Sequence, residues 1–104
     1  MGEKTYKVAY NDCYGSFELS EKASEWLKNH NIEGDDLWGY KHGYCLRHDP
    51  ILIQCIEELG DEASGKFSKI KTKTILSNKY RIFEYDGLEE VIQHHDEEAW
   101  ITIE

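Results

Sequence analysis

The segment from residue 11 to residue 17 joins a strand pattern to a helix pattern, a common position for ligand contacts. Asn11 and Asp12 could select the polar edges of a base or a ribose. Tyr14 could stack on a ring, and Gly15 would let a ligand approach the backbone closely. The same residue types also form a capping turn, in which Asn11 and Asp12 bond to local backbone and Phe17 enters the core. The segment predicts a ligand-binding loop, with a capping turn as the alternative.

The run Arg47-His48-Asp49-Pro50 marks the start of a helix and is the second candidate site. Asp49 is typical of an N-cap, and Pro50 suits the first helical position because its missing N–H would have no partner there. Arg47 could bind a phosphate or carboxylate in two parallel hydrogen bonds, and His48 lies beside it. The alternative is a capped helix with Arg47 in an internal salt bridge. On the binding interpretation, Arg47→Ala is expected to weaken binding without disturbing the fold.

Aromatic rings and glycines alternate between residues 35 and 47, a stretch that we predict to be irregular. Tyr40, with Trp38 and Tyr44 on either side, could line a pocket for a planar ligand. The alternative is that the rings cover the sheet.

The chain has three cysteines, Cys13, Cys45 and Cys55, and an odd number at irregular spacing does not predict a disulfide framework. Cys13 could act as a nucleophile if His42 or His48 folded next to it as a base. The alternative for Cys13 is an inert buried thiol.

Metal and cofactor sites are not expected from the motifs. Cys45-x-x-His48 has a ligand-like spacing, and His94-His95 could add ligands, but zinc sites normally use two compact pairs. The chain has no Walker loop, dinucleotide fingerprint, Gly-x-Ser-x-Gly elbow or His-Glu-x-x-His pattern. We therefore expect no cofactor, no metal and no catalytic residue set.

Composition predicts one acidic domain spanning residues 1–104. The chain has 12 Lys and Arg against 21 Asp and Glu, a formal net charge of −9. Such a surface repels phosphate backbones, so direct nucleic-acid binding is not expected, although an acidic surface can imitate nucleic acid toward a basic protein. No apolar run approaches the roughly 20 residues that span a bilayer. No signal peptide is recognisable, so we expect a cytoplasmic protein that does not contact membranes.

Hydrophobic periodicity and turn residues predict an α+β domain with a mainly antiparallel sheet and two main helices. Ser20 is the expected N-cap of the first helix and Asp49 that of the second. Residues 67–76 and 80–85 are predicted to form a hairpin, and residues 88–93 a short helix. The predicted order is β-α-α-β-β-(α)-β, with strands at residues 6–10, 67–76, 80–85 and 99–103. The first helix follows Ser20 and runs to about residue 29, the second runs from residue 50 to 60 or, as the alternative, on to residue 65, and the short one spans residues 88–93.

The run from Asn11 to Ser20 resembles the opening of a family of small uncharacterised proteins, found mainly in bacteriophages and large DNA viruses, with the pattern N-x-C-[YF]-G-G-F-x-L-S. Ser16 departs from that pattern, where the family has a second glycine. The resemblance continues at residues 47–50, 57–60, 63–65 and 84–87. It implies a shared fold and a viral setting, in which the cytoplasm would be that of the host cell.

Our leading hypothesis is a phage-type accessory protein, with a role against host defence, that sequesters a small nucleotide-like ligand without catalysis. A homodimer is one way to complete the pocket. The predicted ligand-binding residues are Asn11, Asp12, Tyr14, Gly15, Tyr40, Arg47 and His48. The first alternative is an acidic interaction module, or DNA mimic, that inhibits a host protein. The second is a small thiol hydrolase that uses Cys13.

Overall fold

The structure, a computed structural model, describes residues 5–93 and 101–103. These residues form an α+β domain, as predicted. The elements are, in chain order, β1 (Tyr6–Asn11), α1 (Glu21–Lys28), α2 (Gly34–His42), α3 (Pro50–Leu59), a 3-10 turn (Gly60–Ala63), β2 (Ile70–Ile75), β3 (Lys79–Tyr85), β4 (Leu88–Gln93) and β5 (Ile101–Thr102).

The strands form two antiparallel sheets. β1 pairs with β2, and β3 lies between β4 and β5. Val8 and Ala9 are both fully buried although neighbouring side chains on a strand point to opposite faces. Ala9 belongs to a core made with the helices, whereas Val8 belongs to a core made with Tyr80 and Val91 of the second sheet. The β1–β2 sheet therefore lies between the helices and the second sheet.

The predicted starts of α1 and α3 are confirmed. The side chain of Ser20 accepts a hydrogen bond from the backbone N–H of Ala23 at 3.1 Å. Asp49 accepts from the N–H groups of Ile51 and Leu52, and Pro50 is the first helical residue. Each cap satisfies amide donors that have no partner inside the helix.

The prediction that residues 35–47 are irregular is wrong, because α2 occupies most of this stretch. Asp35 and Asp36 lie in its first turn and Lys41 and His42 in its last, a charge order that the helix dipole favours. Gly43 ends the helix in the left-handed conformation at φ 79°. The domain thus has three α-helices among its described residues, rather than two main ones.

The predicted hairpin is also wrong, because β2 pairs with β1 and β3 pairs with β4. Asp86 and Gly87 connect β3 to β4 with φ values of 55° and 88°. Positive φ at both central residues is typical of the tight turns that match the twist of a two-stranded hairpin. This turn folds residues 88–93 back as a strand, so the predicted short helix there is wrong as well. A strand at the C-terminal end is confirmed as β5.

Within residues 5–93 and 101–103, no helix has the length and apolar character needed to cross a membrane.

Candidate functional site

Asn11, the first predicted ligand-binding residue, is fully buried at the end of β1. Its side-chain nitrogen donates to the carbonyl oxygens of Cys13 and Gly87, at 3.1 and 2.8 Å. Its side-chain oxygen accepts from the backbone N–H of Lys69 at 2.8 Å and lies 3.4 Å from the thiol of Cys13. The amide thus connects β1, the segment before β2 and the β3–β4 turn. Because both N–H groups already have partners, Asn11 acts as an internal clamp.

Arg47 is held by Glu89 of β4 in the interior. Its Nη1 donates to Glu89 Oε1 at 2.6 Å and its Nη2 to Oε2 at 2.9 Å. The Arg47 side chain also donates to the carbonyl oxygen of Gly43 and lies 4.0 Å from the centre of the Phe17 ring. The alternative to anion binding was a capped helix with Arg47 in an internal salt bridge. The structure contains both the Asp49 cap and the Arg47–Glu89 salt bridge.

Gly15 allows a close approach, but the approaching group is the protein's own backbone. A Cβ atom at residue 15 would overlap the carbonyl oxygen of Phe67. A Cβ atom at Gly87 would overlap the carbonyl of Gly15 in turn. The first loop, the segment before β2 and the β3–β4 turn therefore pack backbone against backbone. Tyr14, next to this contact, is exposed.

Tyr40 and His48 make separate internal contacts. The Tyr40 hydroxyl donates to Asp49 Oδ2 at 2.9 Å, and burial followed by this bond raises the pKa of Tyr40. His48 Nδ1 shares a hydrogen bond of 2.8 Å with the hydroxyl of the fully buried Tyr80. Burial lowers the pKa of His48 and raises that of Tyr80 to about 12. Neither ring is brought next to the first loop by these bonds.

The predicted site residues therefore do not converge on one ligand position. Asn11 and Arg47 do meet, because the backbone N–H of Asn11 and the guanidinium both donate to Glu89 Oε1. Their meeting point is an internal carboxylate.

A concave surface lies between the two sheets, and Asp12 is the predicted site residue that borders it. This inter-sheet groove has a volume of about 630 Å³. It is lined by Tyr10, Asp12, Thr72, Lys73, Thr74, Phe83, Tyr85, Leu88, Glu89, Glu90 and Val91. Phe83 and Tyr85 are more than half exposed and alternate along β3, so they share one face. Phe83 and Tyr85 were not among the predicted site residues. Their alternate positions in a predicted strand could have indicated an aromatic face.

Ion pairs organise the charges of the inter-sheet groove. Asp12 accepts from Lys71 Nζ at 2.8 Å, and this bond lowers the pKa of Asp12 and raises that of Lys71. Glu89 is paired with Arg47. Lys73 donates to the backbone carbonyl of Val91 at 3.0 Å, which places its ammonium group between the two sheets. An ammonium group has three N–H donors, so Lys73 can also donate to an acceptor of a ligand.

The thiols do not form a catalytic arrangement with histidine in the described part of the chain. The sulfur of Cys13 contacts Asn11 Oδ1 at 3.4 Å and the carbonyl oxygen of Phe67 at 3.5 Å. His42, one candidate base, packs against Trp38, and His48, the other, bonds to Tyr80. Burial raises the pKa of Cys45 and of Cys55 to about 11, which keeps both thiols protonated.

Across residues 5–93 and 101–103, no group of three or more His, Cys, Asp or Glu side chains could hold a metal ion. His94 and His95, the additional ligands considered from the sequence, lie outside the described residues.

No protein-family model, curated protein or solved structure matches this chain.

Proposed function

We propose that this protein binds a small nucleotide-like ligand in the inter-sheet groove and sequesters it without changing it chemically. The observation that carries the proposal is one concavity that combines the rings of Tyr10, Phe83 and Tyr85 with the ammonium group of Lys73. Its volume of about 630 Å³ lies within the range of roughly 300–1,000 Å³ typical of small-molecule sites.

The groove offers each part of a nucleotide a suitable partner. A base has a π-face that stacks on an exposed aromatic ring, and such stacking is tolerant of base identity. Phe83 and Tyr85 present that surface, while Lys73 can donate to a phosphate oxygen. The oxygens of Asp12 and Glu90 can accept from ribose hydroxyls or base amino groups.

The charge balance favours a ligand with few phosphates. Lys71 neutralises Asp12 and Arg47 neutralises Glu89, so Lys73 and Glu90 supply the other charges of the lining. One ammonium group suits one phosphate, and a triphosphate would meet repulsion from a protein of net charge −9. We therefore expect a nucleoside monophosphate, or a cyclic form with one charge per base, as the preferred class.

Binding without catalysis is supported by the lining itself. The described lining has no cysteine, histidine or serine. Two of its three carboxylates are not well suited to remove a proton, because Asp12 has a lowered pKa and Glu89 accepts from both Arg47 and a backbone amide. The resemblance to phage and large-virus proteins supplies a setting in which removing a nucleotide signal would counter host defence.

Titration of the ¹⁵N-labelled full chain with AMP, GMP and adenosine tests the proposal. We expect chemical-shift changes at the amides of Lys73, Phe83 and Tyr85, and tighter binding of AMP than of adenosine. Phe83→Ala should weaken both ligands by about fivefold or more, because stacking contributes roughly 1–3 kcal/mol per base. Lys73→Met should remove the preference for AMP. The ³¹P spectrum should return AMP unchanged.

Lys79→Met is the matched control, because Lys79 is also an exposed strand lysine but does not line the groove. It should leave both affinities as in the wild type. The assignment of the groove is wrong if none of the three ligands changes the chemical shifts of the groove amides. It is also wrong if Lys79→Met lowers the affinity for AMP as much as Lys73→Met does.

A further inference from the structure

A second surface carries large apolar side chains that the inter-sheet groove does not use. Trp38 on α2 and Tyr44 after it stack with their rings within 5° of parallel and their centroids 5.3 Å apart. Tyr44 is 76% exposed, and Leu46 is also more than half exposed. His42 packs against the Trp38 ring at a centroid distance of 4.8 Å. Trp38 thus packs against both His42 and Tyr44 at the surface.

A small cavity opens beside Tyr44. It has a volume of about 270 Å³ and is lined by Ser16, Phe17, His42, Gly43, Tyr44, Arg47, Glu84, Gly87 and Glu89. Arg47 and Glu89 of the lining neutralise each other. Glu84, the other carboxylate of the lining, therefore gives the cavity a negative charge. Glu84 Oε2 accepts from the backbone N–H of Gly87 at 2.6 Å, a bond that leaves its other oxygen for a ligand. The cavity therefore favours a cation.

Acidic residues continue around the aromatic pair. Asp35 and Asp36 are exposed in the first turn of α2, and Asp35 lies three residues before Trp38, on the same side of the helix. With a net charge of −9 on the whole chain, this surface attracts positive partners and repels phosphate backbones.

We propose that Trp38, His42, Tyr44 and Glu84, which we name the α2 surface, bind an arginine side chain presented by a basic protein. The planar guanidinium group stacks on the exposed face of Tyr44 and donates to Glu84. Arginine is favoured over lysine because its flat, weakly hydrated cation both stacks on aromatic rings and reaches a carboxylate through fixed N–H groups.

The test is an NMR titration of the full chain with the peptide acetyl-Gly-Arg-Gly-Arg-Gly-amide. We expect shifts at the Trp38 indole N–H and at the amides of Tyr44 and Glu84. The same peptide with citrulline in place of arginine keeps the planar shape and part of the N–H donors. It exchanges one nitrogen for a carbonyl oxygen and loses the charge, so it should bind at least about fivefold more weakly. A lysine version should fall between the two.

Two variants separate the contributions of the α2 surface. Tyr44→Ala should weaken the arginine peptide by about two- to fivefold, the range of a cation–π contact at an exposed site. Glu84→Gln keeps an acceptor for Gly87 but removes the charge, and it should reduce the difference between the arginine and citrulline peptides. The spectrum of each free variant reports its folding.

Tyr85→Ala is the matched control. Tyr85 is 66% exposed and follows Glu84 directly, but neighbouring side chains on β3 point to opposite faces, and Tyr85 lines the inter-sheet groove. This variant should leave the affinity for the arginine peptide unchanged and lower the affinity for AMP. Failure of one proposal therefore does not imply failure of the other. Equal binding of the arginine and citrulline peptides, no shift at Trp38 and Tyr44, or stronger shifts there with a DNA oligonucleotide than with the peptide would overturn the inference.

Discussion

The guanidinium of Arg47 and the carboxylate of Glu89 form two parallel hydrogen bonds, at 2.6 and 2.9 Å, in the interior of the protein. Their side chains are only 11% and 8% exposed. The pair connects the segment before α3 to β4, and Glu89 Oε1 also accepts from the backbone of Asn11 at the end of β1. One carboxylate thus holds three distant parts of the chain together.

Removing either charge of this pair should destabilise the fold. Glu89→Gln leaves the guanidinium buried without a counter-charge, and we expect the free energy of unfolding to fall by about 3–5 kcal/mol in urea denaturation. Arg47→Ala should cost a similar amount, which differs from the sequence-based expectation that this variant keeps the fold intact. Replacing both residues together, as Arg47→Met with Glu89→Leu, should recover part of the loss. A single variant as stable as the wild type would show that the pair does not hold the fold.

Asn11 should be among the most sensitive polar residues of the chain. Asn11→Ala leaves the N–H of Lys69 and the carbonyl oxygens of Cys13 and Gly87 without their partner. These groups are partly buried, and a buried group left unsatisfied costs about 1–3 kcal/mol, so we expect a total loss of about 2 kcal/mol by chemical denaturation. Asn11→Asp should be worse, because its carboxylate would face the two carbonyl oxygens. Asn78→Ala, at an exposed asparagine, should change stability by less than about 0.5 kcal/mol.

The glycines should differ in their tolerance of alanine. Gly87 combines φ of 88° with backbone contact to Gly15, whereas Gly34 has φ of 63° and open space where a Cβ would lie. Gly34→Ala should cost only the conformational strain, about 1 kcal/mol. Gly87→Ala and Gly15→Ala must also push backbone segments apart, and we expect each to cost more than Gly34→Ala in thermal or urea unfolding. Equal losses at Gly34 and Gly15 would contradict the close backbone packing.

His48 should make stability depend on pH near neutrality. Burial lowers the pKa of its imidazole from the ordinary value of 6.5, outweighing the opposite effect of Asp49. The unfolded chain then binds a proton at a higher pH than the folded chain does, so the contribution of His48 is complete above about pH 6.5 and is lost as pH falls through the folded pKa. Urea unfolding from pH 7.5 downward should show this loss, and His48→Gln should reduce it.

An NMR titration of His48 gives the direct measurement. Its ring protons should titrate below pH 6.5, and Tyr80→Phe should leave the pKa lowered, because burial is the main cause and the hydroxyl is not. A midpoint above 6.5 would contradict a neutral imidazole held in a partly buried position.

Local signals in the sequence determined the starts of α1 and α3, the β3–β4 turn and the fold class. Ser20, Asp49 and Pro50 act within one helical turn of themselves, so their effect does not depend on the rest of the chain. Asp86 and Gly87 likewise mark the β3–β4 turn through their own backbone preferences. The acidic balance, from which we expect no sequence-independent nucleic-acid binding, is a property of composition alone.

Only the tertiary structure decided which strands pair, which charges are buried and where the groove lies. An alternating pattern shows that β2 is a strand but not that its partner is β1, far away in the sequence. In β4 the inward side chains are Glu89 and Val91. A carboxylate at an inward position breaks the apolar alternation by which a strand is recognised in a sequence. Glu89 can be buried because Arg47, from another segment, pairs with it. Asn11 and Arg47 were predicted to bind a ligand, whereas the partners that the structure gives them belong to the protein itself. The groove joins side chains from both sheets, and no short stretch of sequence contains such a combination because it exists only after the sheets have packed.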